Sequence, residues 1–321
     1  MIVNDRNIKV WSTIGPRATF GLAALELVKE IKNLMILTCD VSTSAGLDRF
    51  RKTYTENYLD IGIAEQNLIG IAAGLSSEDF NVITTTFAPF QTIRCCEQIK
   101  VNLGYMQNKI CMVGLASGLV LGNLGYSHCC IEDVGVIRSI PNINIVSPSD
   151  SLETIKAIYA GVKSKKSTYI RLTGGSNNPI VNNKDYEFKI GKSIKLKEGK
   201  DITIFCTGAS VFNSLEAAKI LAKENINCEV VNIHTIKPID KDVIESSLNK
   251  KLILTIEEHN IIGGLGSAVS ESLAGFSKKP KHIFLGINDY YSKGGSYEFL
   301  KKKHGLDIQS IVNIAKKNYL Q

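Results

Sequence analysis

Residues 58–75, YLDIGIAEQNLIGIAAGL, combine a short apolar strand or loop, a turn at Gly62 and a helix apolar enough to be interior. One carboxylate, Glu65, falls at the start of that helix. A buried carboxylate is costly without a partner, so Glu65 is either a functional group or a cap for the free N–H groups of the first helical turn. Gly70 and Gly74 would let another backbone approach one face of this helix.

The composition is that of a globular protein, with 44% hydrophobic and 21% charged residues in a chain long enough for about two domains. The net charge of +7 comes mainly from scattered lysines, which is typical of a solvated surface and argues against nucleic-acid binding. The eight cysteines form no C-x-x-C pair and no zinc pattern, as expected for reduced thiols. With no signal peptide and no run of membrane-spanning length, we expect a cytoplasmic protein without membrane contact.

Strand and helix patterns alternate along the rest of the chain. The predicted strands lie at 34–39, 82–87, 109–116, 143–147 and 168–172, and then at 201–207, 228–233, 251–257 and 282–286. The predicted helices, besides the one at Glu65, lie at 17–32, 90–102 and 131–139, from 150, at 211–224 and 240–248, from 264, and at 296–303 and 307–318. This alternation predicts an α/β protein with two doubly wound domains, whose parallel sheets are covered by helices on both faces. We expect domains at 1–175 and 201–321, joined by a linker at 176–200 that is rich in Gly, Ser, Asn and Lys.

Several motifs occur in a fixed order. They are GIAEQN (62–67), TFAPF (86–90), RSIPN (138–142) after a Gly-rich loop that ends at His128, and EEH (257–259) followed by GGLGS (263–267). By these motifs the chain resembles the C-terminal two-thirds of transketolase, which comprises the pyrimidine-binding domain and the C-terminal domain. The resemblance covers almost the whole chain.

The resemblance implies thiamine diphosphate as the cofactor. In that family a carboxylate beside the aminopyrimidine ring assists the proton loss that makes the cofactor a nucleophile, and Glu65 matches it. Phe87 and Phe90 match aromatics that stack on the pyrimidine ring. Ile93 stands where the family has a third aromatic, and Asp40, at the end of the first strand, is included among the expected cofactor contacts.

The resemblance also implies substrate residues. His128 matches a histidine that faces the substrate carbonyl and moves protons, and Glu132 would orient it from one helical turn away. Arg17, Ser44 and Arg171 fall where transketolases hold the phosphate of a sugar phosphate. Arginine suits that task because its planar fork can bind two phosphate oxygens.

Some substrate positions depart from the family pattern. Asn123 and Leu124 replace an acidic pair that contacts a sugar hydroxyl, and Ala116 replaces a substrate-contacting histidine. Leucine cannot accept a hydrogen bond, so a hydroxyl buried against it would lose its partner. We therefore expect a two-carbon ketol transfer with an altered sugar, such as a deoxy, branched or nucleotide-linked one.

The chain lacks the Gly-Asp-Gly motif, with its later Asn, that holds magnesium and the diphosphate in this superfamily. No metal ligands are expected in this chain. Instead we expect Mg²⁺ or Ca²⁺ to be held by a separate diphosphate-binding subunit, in an α2β2 assembly with the cofactor between chains. The isolated chain should then be inactive.

Two other functions remain open from the sequence. The chain also resembles, less closely, 1-deoxyxylulose-5-phosphate synthase and the beta chain of 2-oxoacid dehydrogenases. A non-catalytic paralogue that keeps the fold is a further alternative. In the second domain, the N–H groups of 263–267 could bind an anion or serve close packing, and the role of His259 is undecided.

Overall fold

Two β-sheets, each built mainly from parallel strands, organise the chain. The structure is a computed structural model and describes residues 1–320. The strands are β1 Leu34–Thr38, β2 Tyr58–Asp60, β3 Asn81–Phe87, β4 Ile110–Leu115, β5 Ile143–Val146, β6 Ser167–Arg171, β7 Ile194–Lys197, β8 Ile202–Cys206, β9 Cys228–Asn232, β10 Thr235–Lys237, β11 Leu252–Asn260 and β12 Lys281–Ile287. The helices are α1 Asp5–Glu30, α2 Asp48–Thr53, α3 Glu65–Ser77, α4 Ala88–Gln91, α5 Cys96–Ile99, α6 Asp133–Arg138, α7 Ser151–Lys163, α8 Ser210–Ala222, α9 Lys241–Glu245, α10 Leu265–Leu273, α11 Tyr297–Lys303 and α12 Ile308–Tyr319.

The first sheet has the strand order β10-β5-β6-β4-β3-β1-β2, in which β1 to β6 are parallel and β10 is antiparallel. All residues of β4 are buried because helices cover both faces of the sheet. Helices α1 and α7 pack on one face, through side chains such as Leu27 and Ile158, and α3, α5 and α6 pack on the other, through side chains such as Leu68 and Ile137. This arrangement confirms the predicted doubly wound α/β fold.

The second sheet has the order β12-β11-β8-β9-β7, with β7 antiparallel to β9 and the other strands parallel. Its two faces are covered by α8 and α12 on one side and by α9 and α10 on the other. Strand β7 lies inside the range predicted as a linker. No helix within residues 1–320 has the length and apolar character needed to cross a membrane.

Three local features differ from the sequence-based expectation. Helix α1 begins at Asp5, twelve residues before the expected start, and its helical backbone is interrupted at Gly15, which has a φ of 81° and precedes Pro16. The helix expected at 90–102 is broken into α4, a turn, α5 and a π-helical segment, Lys100–Tyr105. Strand β10 belongs to the second half of the chain but pairs with β5 at the edge of the first sheet.

The order of the strands gives the first sheet a topological switch point between β1 and β3. The strand that follows β1 in the chain, β2, lies on one side of this point, and the strand that follows β3, β4, lies on the other. The loops that follow the carboxyl ends of β1 and β3 therefore diverge, and open α/β sheets bind ligands at such a point. Of the residues singled out from the sequence, Asp40 and Ser44 follow β1, Phe90 and Ile93 follow β3, and Phe87 is the last residue of β3.

Candidate active site

The turn between β2 and α3 is fixed by Asp60, the last residue of β2. Its carboxylate accepts hydrogen bonds from the backbone N–H groups of Asp40 and Gly62, each at 2.9 Å, and from the Thr38 hydroxyl at 3.0 Å. Burial alone would raise the pKa of Asp60, but these hydrogen bonds lower it overall. Gly62 has a φ of 72°, which permits the sharp turn into α3. Glu65 follows as the first residue of the helix.

The Glu65 carboxylate is buried, with only 4% of the side chain exposed, and it is paired with Arg94. Glu65 Oε2 lies 2.8 Å from Arg94 Nη1. The same guanidinium lies over the ring of Phe90, with Cζ 4.0 Å from the ring centroid. Arg94 was not identified from the sequence. The available signal was its spacing of four residues from Phe90.

Phe87, Phe90 and His128 form an aromatic cluster beside this ion pair. The His128 ring centroid lies 5.4 Å from that of Phe90 and 6.2 Å from that of Phe87, in edge-to-face geometry. His128 is partly exposed, and its Nδ1 lies 3.0 Å from the Ser127 hydroxyl. The structure thus brings together side chains from the loops after β2, β3 and β4. Ile93 and Asp40 are both exposed, and among residues 1–320 no hydrogen bond joins the Asp40 carboxylate to this cluster.

Two thiols lie close to the Glu65 carboxylate. Burial, together with the charge of Glu65, raises the pKa of Cys39 to about 11 and that of Cys95 to about 12. Both thiols therefore remain neutral at physiological pH and add no charge to the surroundings of Glu65.

Arg17 and Ser44 line one cavity of about 190 Å³. The rest of its wall includes Thr43 and the loop 174–176. Gly15 allows this loop to approach, because a Cβ at that position would lie 2.5 Å from the carbonyl oxygen of Gly175. Burial lowers the pKa of Arg17, and its guanidinium has no carboxylate within ion-pair distance among residues 1–320. A partly buried guanidinium facing hydroxyl groups is suited to binding an anion.

The prediction that Arg171 binds substrate phosphate is wrong in this structure. Arg171 is only 1% exposed, and its Nε donates to both carboxylate oxygens of Asp133, at 3.0 and 2.8 Å. Its Nη2 donates to the carbonyl oxygens of Cys130 and Glu258. Burial alone would lower the pKa of Arg171, but Asp133 raises it overall. As the last residue of β6, Arg171 points into the protein, and residues 174–176 of the following loop reach the cavity instead.

The expectation that Glu132 orients His128 is also wrong. The two residues do not share a helix, because α6 begins only at Asp133. Glu132 Oε1 accepts a hydrogen bond from the Tyr291 hydroxyl at 2.6 Å, and Oε2 accepts one from the N–H of Ile131 at 3.0 Å. Glu132 therefore joins the first domain to the second.

The loop that carries His128 is held by the second domain at several points. Glu258, which is buried, accepts the N–H of Leu119 at 2.7 Å and the hydroxyl of Tyr297 at 2.6 Å. The N–H of Gly295 donates to the carbonyl oxygen of Gly122 at 3.0 Å. The position of His128 thus depends on contacts that cross between the two sheets.

The glycine loop 263–267 does not offer a free helix N-terminus. Glu257 accepts the N–H groups of Leu265 at 2.6 Å and Gly266 at 2.8 Å, so a side chain of the chain itself fills the anion position. His259 is buried next to Asp133, and its Nε2 accepts a hydrogen bond from the N–H of Gly135 at 3.3 Å. The Glu257 bonds lie within the second domain, whereas the His259 bond joins the second domain to the first.

The positions that depart from the family pattern differ in accessibility. Asn123 and Leu124 are exposed in the loop before His128, whereas Ala116 is buried with a φ of 52°. Among residues 1–320, no group of three or more His, Cys, Asp or Glu side chains is arranged to hold a metal ion.

Comparisons with known proteins match both halves of the chain to the same family. The family described as "Transketolase, pyrimidine binding domain" matches residues 12–178, and "Transketolase, C-terminal domain" matches residues 191–311. A protein of Methanocaldococcus jannaschii described as a putative transketolase C-terminal section is 36% identical over 298 residues, covering 92% of this chain and 94% of that protein. One subunit of the apulose-4-phosphate transketolase of Phocaeicola vulgatus is 33% identical over 304 residues, covering 94% and 96%. A solved structure described as a split gene transketolase, inactive beta4 tetramer, has a TM-score of 0.86 at 34% identity, covering 96% of this chain and 98% of that one.

Proposed function

The chain belongs to the transketolase family, and we propose that it is the pyrimidine-side subunit of a split transketolase that depends on thiamine diphosphate. The observation that carries this proposal is the placement of a buried carboxylate, Glu65, beside the Phe87–Phe90–His128 cluster at the carboxyl ends of the strands of the first sheet. We assign the cofactor-binding role to a domain at 1–175. A second domain at 201–321 follows a connecting segment at 176–200 that carries β7.

The residues present fit the aminopyrimidine of thiamine diphosphate. Glu65 and Phe90 already hold the guanidinium of Arg94, which is a flat group with N–H donors, by a hydrogen-bonded ion pair and by stacking. A flat heterocycle with a protonatable nitrogen needs the same two contacts. When bound, thiamine diphosphate supplies a carbon nucleophile that allows the bond next to a ketose carbonyl to be broken and formed.

Each residue of the chain then has a defined task. Glu65 exchanges a proton with the ring nitrogen at a site from which water is largely excluded. Phe87 and Phe90 provide apolar faces, and the exposed Ile93 and Asp40 are proposed as outer contacts of the cofactor. His128 Nδ1 is engaged by Ser127, so Nε2 is the nitrogen available to exchange a proton with the substrate oxygen.

The substrate proposed is a ketose phosphate. Arg17 and Ser44 would bind its phosphate in the cavity that they share with Thr43 and Ser176. Asn123 and Leu124 replace the acidic pair of ordinary transketolases, which supports a sugar with an altered hydroxyl pattern. The relative from Phocaeicola vulgatus is named for the unusual sugar apulose 4-phosphate, in line with this proposal.

The partner proposed is a separate subunit that binds the diphosphate and its Mg²⁺ or Ca²⁺, in an α2β2 assembly in the cytoplasm. One relative is named as a single subunit of a transketolase, and a similar structure is described as an inactive tetramer of beta chains; both descriptions support this division. The exposed face of α3 offers a surface for another chain. Beyond the backbone of α3 itself, a Cβ added at Gly70 or Gly74 would meet no atom within 4 Å, so no contact with another element of the chain requires these glycines.

The test is reconstitution with a transketolase-family subunit that carries the Gly-Asp-Gly motif. We expect ketol transfer only in the mixture, and loss of about 10²- to 10⁴-fold in Glu65→Gln, because a positioned proton-transfer group contributes that much. Glu56→Gln, a change at an exposed carboxylate, is the matched control. Comparing xylulose 5-phosphate with branched and deoxy ketose phosphates as donors tests the altered sugar.

Two results would contradict the proposal. Decarboxylation of pyruvate without ketol transfer would assign the chain to the synthase or dehydrogenase type. A non-catalytic paralogue would be indicated if the mixture assembles and Glu65→Gln changes neither the assembly nor the measured rate of ketol transfer.

A further inference from the structure

Arg94 contacts both of the groups that the proposed function assigns to the cofactor ring. Its Nη1 lies 2.8 Å from Glu65 Oε2, and its Cζ lies 4.0 Å from the centroid of the Phe90 ring. The carboxylate and the aromatic face are the two groups that would bind the aminopyrimidine. A single side chain of the same polypeptide therefore satisfies both.

The chemistry of the two groups is alike. A guanidinium is planar, delocalised and weakly hydrated, and it donates N–H groups in its own plane while its face stacks on aromatic rings. A protonated aminopyrimidine is also planar and cationic, and also donates in its plane. Both groups cannot lie on the same face of Phe90 and bond to the same oxygen of Glu65 at once.

The pairing also neutralises the charge of the buried Glu65 carboxylate. Glu65 is 4% exposed, and a buried carboxylate without a counter-charge is strongly destabilising. Among residues 1–320, Arg94 is the one basic side chain within ion-pair distance of Glu65. The guanidinium thus neutralises Glu65 while no ring is present.

The position of Arg94 also allows its guanidinium to leave the contact with Glu65 and Phe90. It lies in the turn between α4 and α5, and 43% of its side chain is exposed, so the guanidinium can move into solvent without disturbing a helix. Its backbone carbonyl remains held by the side chain of Gln66 at 3.2 Å. The side chain can therefore exchange while the backbone stays in place.

We propose that Arg94 is an internal surrogate for the cofactor ring, which covers Phe90 and neutralises Glu65 in the free subunit and is displaced when thiamine diphosphate binds. This inference rests on the proposed function. Its consequence is that every binding event must first break the Arg94–Glu65 pair, which lowers the affinity for the cofactor. Removing the guanidinium should then tighten binding.

The experiment is calorimetric titration of thiamine diphosphate with Mg²⁺ into the reconstituted complex. We expect Arg94→Met to bind about tenfold more tightly than the wild type, which corresponds to ~1.4 kcal/mol. We also expect Arg94→Met to have a lower melting temperature than the wild type without cofactor, and to gain more from adding it. Arg51→Met is the matched control, since Arg51 is 44% exposed with one ion pair to Asp48 and lies outside the site.

The outcomes separate this inference from the proposed function. Equal or weaker binding by Arg94→Met, with normal binding by the wild type, would overturn the surrogate and make Arg94 a permanent positioning residue for Glu65. No binding by an assembled wild-type complex would overturn the proposed function, and the surrogate with it. If the Arg94→Met subunit does not assemble with its partner, Arg94→Gln is used in its place. Tighter binding of thiamine diphosphate is again expected, because this change also removes the charge. A crystal structure of the cofactor-bound complex with Arg94 still stacked on Phe90 would also overturn the surrogate.

Discussion

Replacing Arg171 by methionine should destabilise the first domain strongly and independently of any substrate. Arg171 and Asp133 are 1% and 0% exposed, and Nε lies within 3.0 Å of both carboxylate oxygens. Removing one partner of a buried pair leaves an unpaired charge, which costs roughly 3–5 kcal/mol. The backbone carbonyls of Cys130 and Glu258 each lose the N–H group of Arg171 as well, while the Cys130 carbonyl keeps the N–H of Gly118.

The assay is equilibrium unfolding of the isolated chain in urea. The fluorescence of Trp11, the single tryptophan, reports on the core of the first domain, in which it is buried. We expect the midpoint of Arg171→Met to fall at an unchanged slope, because a change of stability alone moves the midpoint. Arg51→Met should shift the free energy of unfolding by less than about 1 kcal/mol, since its ion pair is exposed.

A second substitution makes the test specific. Asp133→Asn in the Arg171→Met background removes the unpaired charge and keeps an acceptor for the Tyr169 hydroxyl, which now lies 2.7 Å from Asp133 Oδ2. The double variant should therefore be more stable than Arg171→Met alone. The reasoning fails if Arg171→Met unfolds like the wild type and instead raises the KM for a sugar phosphate, which is what the sequence-based assignment requires.

Three further predictions concern other parts of the chain. Arg17→Met should raise the KM for a phosphorylated ketose in the reconstituted enzyme by about 10- to 100-fold, because a charge-assisted hydrogen bond contributes roughly 1.5–3 kcal/mol; an equal rise for the unphosphorylated sugar would contradict it. Tyr297→Phe should lower the free energy of unfolding by about 1–3 kcal/mol, because buried Glu258 loses one of its donors and keeps the N–H of Leu119, whereas the exposed control Tyr290→Phe should not. Burial lowers the pKa of His282 to about 4, so the folded protein holds this side chain neutral where the unfolded chain already binds a proton. The free energy of unfolding is therefore unaffected above about pH 6.5 and decreases by up to roughly 3 kcal/mol as the pH falls towards 4. Thermal unfolding of His282→Gln should show a smaller decrease in stability over that range.

The elements that were predicted correctly from the sequence have local causes. The turn at Gly62 and the start of α3 at Glu65 follow from backbone freedom and apolar periodicity within a few residues. The helix predicted from residue 150 also has a local cause, because the Asp150 side chain accepts the N–H of Glu153 at 2.8 Å and so caps α7. The clustering of Phe87 with Phe90 follows from their spacing across a strand end.

The errors arise where tertiary contacts decide. The side chain of Arg171 could point to the cavity of Arg17 and Ser44 or into the protein. The outcome depends on which face of β6 packs against α6, and no local sequence pattern predicts which face that is. Strand β10 has three residues, too few for any periodicity to show, and its partner β5 lies far away in the sequence. The pairing of Glu132 with His128 assumed a continuous helix, but the chain between them turns before α6 begins.

Arg94 shows why the site itself was only partly predictable. Its role depends on the distance between two loops that follow different strands, and the sequence gives only the order of those loops. The motif that contains Phe87 and Phe90 indicated the aromatic face, yet the ion pair with Glu65 required the fold.

The second domain has a direct part in the proposed chemistry. The loop that carries His128 is tied to β11 through Glu258 and to α11 through Tyr297, while Arg171 bonds both the carbonyl of Cys130, two residues after His128, and that of Glu258. One buried network thus fixes the loop from both sheets, and a loop fixed in this way cannot shift unless the domains shift with it. The position of His128, the residue proposed to transfer a proton, therefore depends on the interface between the domains, where charged residues are buried despite the cost of removing them from water.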